Sequence, residues 1–351
     1  MLDSLSGNTF LNNEPQFKQY HLLKSYLKKY KAIKLKNNLP IISTDKKRFK
    51  LNDSSKTIVQ LKQWFYLMGD LKENNQSVFF DEPLQAAVKN AQQRFGIKTD
   101  GIIASSLINE MNYPLEKRIE TIMVKMERCR WVPVKLEDEY LLVNIPEYKL
   151  HVVQNDSLVF SMKVVVGKNQ HKTVIFNGTL KYVVFSPYWN IPSSIINNEI
   201  LPAMRRNRNY LSKHNMEWNN GRIRQRPGPN NSLGLVKFLF PNSHNIYLHN
   251  TPSKSLFGED NRNFSHGCIR LEEPKKLAVY LLRNDPKWND STIDAAMNRG
   301  TQKMISLQQP LPVFIAYFTS WVAFAGRINF RKDVYKRDER LVKMILDKPS
   351  I

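Results

Sequence analysis

His249 closes an apolar run, Ile246 to His249, and a polar loop separates it from Ser265-His266-Gly267-Cys268, which opens a second run, Cys268 to Leu271. These residue types point to nucleophilic chemistry at sulfur. A cysteine attacks a carbonyl as its thiolate, so it needs an imidazole for the proton and backbone N–H groups for the oxyanion. Gly267, without a Cβ, lets the chain turn tightly and lets an acyl carbonyl approach the N–H groups around Cys268. Two histidines compete as base. His249 is favoured because it ends a strand instead of lying in the nucleophile's own turn. His266, two residues from Cys268, can line the site, hold the loop or join the proton pathway. Residues two apart on a strand share a face, so Tyr247 is expected to point with His249 and Arg270 with Cys268. An Arg fork there matches a carboxylate. The plainer alternatives are a packed Tyr and a solvated Arg.

Duller readings of the cluster fit less well. A metal site built from His244, His249, His266 and Cys268 matches no close-paired zinc spacing, and no metal or cofactor is expected. A buried structural cysteine is at odds with so polar and turn-like a segment. The second of the two cysteines, Cys129, lies on an apolar helical stripe with Leu115, Ile119, Ile122 and Met126, and reads as a packing residue. Two cysteines make no disulfide framework.

The elements that must position these residues begin after Pro133. Runs at 140–145, 149–153, 158–167 and 181–185 are β-rich and broken by turn residues such as Asn155-Asp156 and Asn177-Gly178. More follow at 246–249, 268–271 and 313–318, with one helix from Pro274 through Leu281. The stretch between Pro192 and His244 is too long for an idle connection and reads as a lid or binding loop. Within it, 197–211 suits a helix, and Gly228 and Gly234 suit a hinge.

Upstream the pattern is helical. An amphipathic stretch runs from Tyr20 to Ile33, followed by a turn-like Asn-Asn-Leu-Pro at 37–40. Ile58, Leu61, Phe65 and Met68 share one helical face, and Leu84, Val88, Ala91 and Phe95 share a second behind Pro83. Asp100-Gly101 then turns into Leu107, Ile108 and Met111.

With 351 residues, 42% of them apolar and 11% aromatic, the chain has material for more than one core, which excludes wholesale disorder. Its 53 basic against 31 acidic residues give +22, which favours an anionic partner. Nucleic acid is not expected, because no zinc finger, basic zipper or aromatic ladder converts that charge into base readout. The first residues lack a basic-then-apolar export signal, and no run of about 18 apolar residues appears. An exported protein would have to carry its signal or anchor outside this sequence.

At His249, Ser265, His266, Gly267, Cys268, Ile269 and Arg270 the chain resembles the L,D-transpeptidase catalytic domain. That motif is a His, a variable loop, then Ser-His-Gly-Cys, an apolar residue and Arg or Asn. The likeness covers roughly residues 57–340 and extends through 126–133, 140–153, 164–168, 187–192, 249–253, 312–322 and 330–338. It is closest to the large periplasmic subgroup that joins a peptidoglycan-binding module to a lidded catalytic domain. Residues 57–113 resemble that module, with Gly69-Asp70-Leu71 after the first helix and Arg94-Phe95-Gly96 before the Asp-Gly turn. A generic helical packing domain is the alternative.

The resemblance implies an α+β protein. Its expected parts are a helical segment at 1–56, the module at 57–113 and a linking helix at 114–135. A sandwich-like β-rich catalytic domain at 136–340, with a lid at about 193–245, and a tail at 341–351 complete it. It also implies peptidoglycan stem peptides as substrate, a Cys268 thioester, His249 as base, and oxyanion contacts from the Gly267 and Cys268 N–H groups. Ser265, His266, Arg270, Tyr247 and Asn250 would line the substrate site, carbapenems would inhibit, and the location would be the periplasm or cell envelope. Related enzymes place Ser, Gly or Asp where this chain has Asn250. That side chain matters little if a backbone carbonyl orients the imidazole. Two alternatives remain: hydrolysis of the same thioester by an L,D-carboxypeptidase or endopeptidase, and a non-catalytic wall-binding protein.

Overall fold

The computed structural model describes residues 15, 17–36, 39–44, 46–131 and 138–346. Asn37 and Asn38 of the expected turn, and Pro133, lie outside the described residues. The chain divides into two compact units, one of residues 1–136 and 318–351, the other Glu137–Tyr317.

In the first unit, α1 (Lys18–Lys36) buries Tyr20, Leu23, Tyr30 and Ile33. β1 (Arg48–Phe49) pairs with β2 (Ile103–Ala104), and between them run α2 (Lys56–Met68) and α3 (Glu82–Phe95). The apolar faces expected for α2 and α3 are buried. Their ends follow from local chemistry. The side chains of Ser55 and Asp81 accept from N–H groups in the first turns, a cap contributing about 1 kcal/mol. Gly69 and Gly96 close the C-termini. α4 (Ser105–Met111) and α5 (Leu115–Cys129) follow. α5 packs along α1, so the expected linking helix is part of this unit's core.

The second unit is a sheet built from β3 (Glu139–Asn144), β4 (Lys149–Gln154), β5 (Ser157–Gly167), β6 (Phe176–Phe185), β10 (Val236–Leu239), β11 (Leu248–His249), β12 (Asn263–Ser265), β13 (Ile269–Leu271) and β14 (Lys303–Ala316). The order is β12-β5-β13-β11-β10-β6-β14-β3-β4, and β4 also pairs with β5, so the sheet closes on itself. The sandwich-like expectation is met by one closed sheet. Asn177-Gly178, expected as a turn, lies inside β6 opposite Phe314 and Val313. The Phe240 ring packs against Gly178, so tertiary pairing overrides the turn preference. Asn155-Asp156 is a turn, both residues having positive φ.

The insertion carries β7 (Trp189–Asn190), α6 (residues 193–206), α7 (Tyr210–Lys213), β8 (Met216–Asn219) and β9 (Arg222–Gln225). β7, β9 and β8 form a separate sheet, and Ile191, Ile200 and Ile223 centre a small core of its own. The lid is therefore shorter than 193–245, because β10 belongs to the main sheet. The expected hinge is tied down. Asn231 is buried and its amide donates to the carbonyls of Pro187, Gln225 and Arg226, and a Cβ on Gly234 would strike the Asn250 side chain at 2.6 Å. α8 (Pro274–Leu282) and α9 (Asp290–Asn298) follow β13.

The last segment returns to the first unit. β15 (Ser320–Val322) pairs with β16 (Ile328–Phe330), and α10 (Asp338–Leu346) follows. Gln19 exchanges two hydrogen bonds with Val322, at 2.6 and 2.9 Å, and the Phe330 ring stacks on Phe95. Asp338 pairs with Lys125 and, at 2.7 Å, with Arg128. The expected catalytic boundary at 340 thus moves back to Tyr317, since 318–340 complete the helical unit.

Candidate active site

The register of four neighbouring strands places the chemistry. Val183, Phe238, Leu248 and Ile269 stand opposite one another in one row and are fully buried. One residue further, Val184, Lys237, His249, Arg270 and Val165 form the next row, on the other face of the sheet. The same alternation that packs the core thus sets an imidazole between two cations. Tyr247, two before His249, shares its face, with ring centroids 5.7 Å apart.

Cys268 sits half-buried just before β13. Its turn is fixed by short polar contacts. Ser265 Oγ donates to the Cys268 carbonyl at 2.6 Å and accepts from Gly267 N at 3.1 Å. Thr173 Oγ1 donates to the Gly267 carbonyl at 2.9 Å, and Gly267 adopts φ +115°, which a side chain would strain. The Gly267 N–H, expected as an oxyanion donor, is therefore already engaged by Ser265. The Cys268 thiol itself donates to the Asn245 carbonyl, Sγ lying 3.6 Å from that oxygen. Burial pushes the Cys268 thiol up, while Tyr247, Arg270 and Lys237 pull it down.

His249 is buried, and its Nδ1 lies 2.5 Å from the Asn250 carbonyl oxygen. A carbonyl only accepts, so Nδ1 carries the proton and Nε2 keeps its lone pair. The orienting group beyond the imidazole is thus main chain. The Asn250 side chain is used elsewhere, its Oδ1 accepting from Thr251 N and Lys254 Nζ. Burial first, then Arg270, lowers the His249 pKa to about 3, so the imidazole is neutral at ordinary pH.

Lys237 and Arg270 have no carboxylate partner among the described residues. Lys237 Nζ reaches only the Tyr188 carbonyl, at 3.5 Å, and Arg270 Nε is buried without a hydrogen bond. Burial lowers both pKa values, and Cys268 opposes that shift in each. His266 meets Glu199 of α6 at 3.2 Å and packs its ring 5.2 Å from that of His171. Burial lowers its pKa against the pull of Glu199. His244 stands apart, its ring against Phe176, and no described group of three or more His, Cys, Asp and Glu is arranged to hold a metal ion. Cys129 is buried in α5, which pushes its thiol up to about 12.

The structure sets Tyr247 and His249 beside one another and His249 opposite Arg270, ties Ser265, Gly267 and Cys268 into one turn just before β13, and points His266 of that turn toward Glu199 and His171. Sequence reasoning missed Lys237, Thr173 and Glu199. Lys237 had one available signal, a cation between two buried apolar residues on a strand; the other two meet the site only through the fold.

Residues 138–292 match the family model described as "L,D-transpeptidase catalytic domain", and residues 54–111 match "Putative peptidoglycan binding domain". The chain is 32% identical over 222 residues to a Haemophilus influenzae protein named "Putative L,D-transpeptidase". That alignment covers 57% of this chain and 45% of the relative, so the chain spans less than half of that relative's length. Among solved structures, an L,D-transpeptidase from Stackebrandtia nassauensis is 13% identical, over 78% of this chain and 97% of that one, at a TM-score of 0.30. L,D-transpeptidase 3 from Mycobacterium tuberculosis, solved with a faropenem-derived adduct, is 15% identical over 51% and 60%, at a TM-score of 0.27. No described helix is long and apolar enough to cross a membrane.

Proposed function

With an L,D-transpeptidase catalytic domain set behind a peptidoglycan-binding module in one chain, we propose that this protein cross-links peptidoglycan stem peptides in the cell envelope through a thioester on Cys268. Cys268 Sγ attacks the carbonyl of the third residue of a tetrapeptide donor, and His249 Nε2 takes the thiol proton. The terminal D-Ala leaves as the amine, receiving that proton. An amine of an acceptor stem then displaces the thiolate. The observation that carries this reading is the His249 Nδ1 to Asn250 carbonyl contact, which presents an unprotonated Nε2 from a buried ring on the face shared with Tyr247.

Lys237 and Arg270 suit a donor carboxylate, since two half-buried cations with no carboxylate partner among the described residues await an anion. Tyr247, which pulls the Cys268 thiol pKa down and stands beside His249, is a candidate to steady the oxyanion. Net charge of +22 favours a wall rich in carboxylates. The test is mass analysis of products from disaccharide-tetrapeptide. Cross-linked dimer with loss of D-Ala supports transfer, tripeptide alone makes the enzyme a hydrolase, and no product in the presence of binding makes it a wall-binding protein.

A further inference from the structure

The second half of the proposed reaction needs an acceptor amine, and in water that amine is an ammonium ion. It must be held and must lose a proton before it can attack. Most charged side chains around Cys268 are cations, as Lys237 and Arg270 show, and they repel an ammonium. Glu199 is the exception.

Its placement follows from the insertion's own packing. Residues 196–200 form a π turn within α6, a widened turn that recurs at functional sites. Ile195, Ile196 and Ile200 pack on the insertion core, which leaves Glu199 outside that core. There its carboxylate stands 3.2 Å from His266 Nε2 and remains 55% exposed, while His266 is 38% exposed. His266 lies two residues before the nucleophile. A carboxylate and an imidazole, both accessible and in contact, stand at the mouth of the turn that carries Cys268.

We infer that Glu199 and His266 form the acceptor subsite, Glu199 binding the ammonium of the incoming primary amine and His266 taking the proton that frees its lone pair. This rests on the acyl-enzyme reading above. The ammonium gives one proton to His266, which passes it to solvent. The free amine forms a C–N bond to the thioester carbon, and the C–S bond breaks with its electron pair going to Sγ. The second amine proton passes through His249 to the thiolate. Atoms and charge balance as ammonium plus thioester giving amide, thiol and a proton.

The experiment acylates the whole 351-residue chain with the tetrapeptide donor and offers Nα-acetyl-lysine amide as the amine probe. The ratio of amide to hydrolysed tripeptide is read against amine concentration. Glu199→Gln is expected to lower that ratio about tenfold, as loss of a charge-assisted contact does, while carbapenem adduct formation at Cys268 stays within about twofold of the parent. Hydroxylamine, uncharged at neutral pH, is expected to partition equally in parent and variant. An unchanged ratio with the lysine probe overturns the subsite, and so does an equal loss with hydroxylamine, which would make Glu199 a prop for the insertion. A parent that takes no acyl group at Cys268 overturns the proposed function and the subsite with it.

Discussion

His249 Nδ1 and the carbonyl oxygen of Asn250 lie 2.5 Å apart, so the imidazole is oriented by the main chain of the residue that follows it. The Asn250 amide is left to brace the loop through Thr251 and Lys254. Asn250→Ser is therefore expected to keep most activity, within about tenfold of the parent, and to show its cost mainly in thermal stability. His249→Ala is expected to slow acylation by about 10²–10⁴. Stopped-flow acylation by a carbapenem measures both. Equal losses would mean that the Asn250 side chain orients the base.

The same burial makes a prediction about pH. His249 has a folded pKa of about 3 against an unfolded value near 6.5. Between those values the unfolded chain binds a proton that the folded chain does not, so stability falls as pH drops through this window. The contribution is fully present above about pH 6.5 and amounts to about 3 kcal/mol lost by pH 4. Urea midpoints measured from pH 4 to 8 are expected to slope more steeply for the parent than for His249→Gln. Parallel curves would place the ring in water.

Covalent inhibitors should discriminate sharply between the two thiols. Cys129 is buried with its thiol pushed up to about 12, whereas Cys268 lies half-exposed beside Lys237, Arg270 and Tyr247. One carbapenem adduct per chain is expected, at Cys268, and none in Cys268→Ala. Peptide mapping reads it directly, and label on Cys129 would contradict the burial argument.

The insertion has its own core, which makes a clean excision feasible at residues 193–226, sparing Lys237 and β10. An acyl-enzyme open to solvent faces about 55 M water, so transfer needs water excluded and the amine positioned. Replacing 193–226 with a short linker is expected to lower the dimer-to-tripeptide ratio by about tenfold or more while Cys268 still accepts a carbapenem. An unchanged ratio would mean that the sheet face alone partitions the thioester.

Much of this was legible in the sequence because local chemistry and tertiary structure agree. Ser265-His266-Gly267-Cys268 is a turn whose polar residues bond one another, and the helical faces of α2 and α3 repeat at helical spacing. What escaped depends on long-range pairing. Asn177-Gly178 carries a turn signal but sits in a strand because β14 and Phe240 claim it. Glu199 is an ordinary helical acid until the insertion's core turns it toward His266. The engaged Gly267 N–H was hidden for a different reason: Ser265 has one hydroxyl, and which donor it accepts from is decided by a backbone angle.

The chain enters the helical unit, leaves it for the whole of Glu137–Tyr317, and comes back to finish it. Asp338 meets Lys125 across 213 residues of sequence, and Val322 meets Gln19 across 303. On a ribosome the order of completion is therefore inverted. The sheet has its described strands while the helical unit, begun first, still lacks the acid that pairs with Lys125 and Arg128. A stop codon shortly after Tyr317 would leave the closed sheet complete and remove Asp338 from Lys125 and Arg128, a loss of about 3–5 kcal/mol borne by the helical unit. Truncation at the C-terminus would thus read out as a loosened helical unit beside an intact sheet.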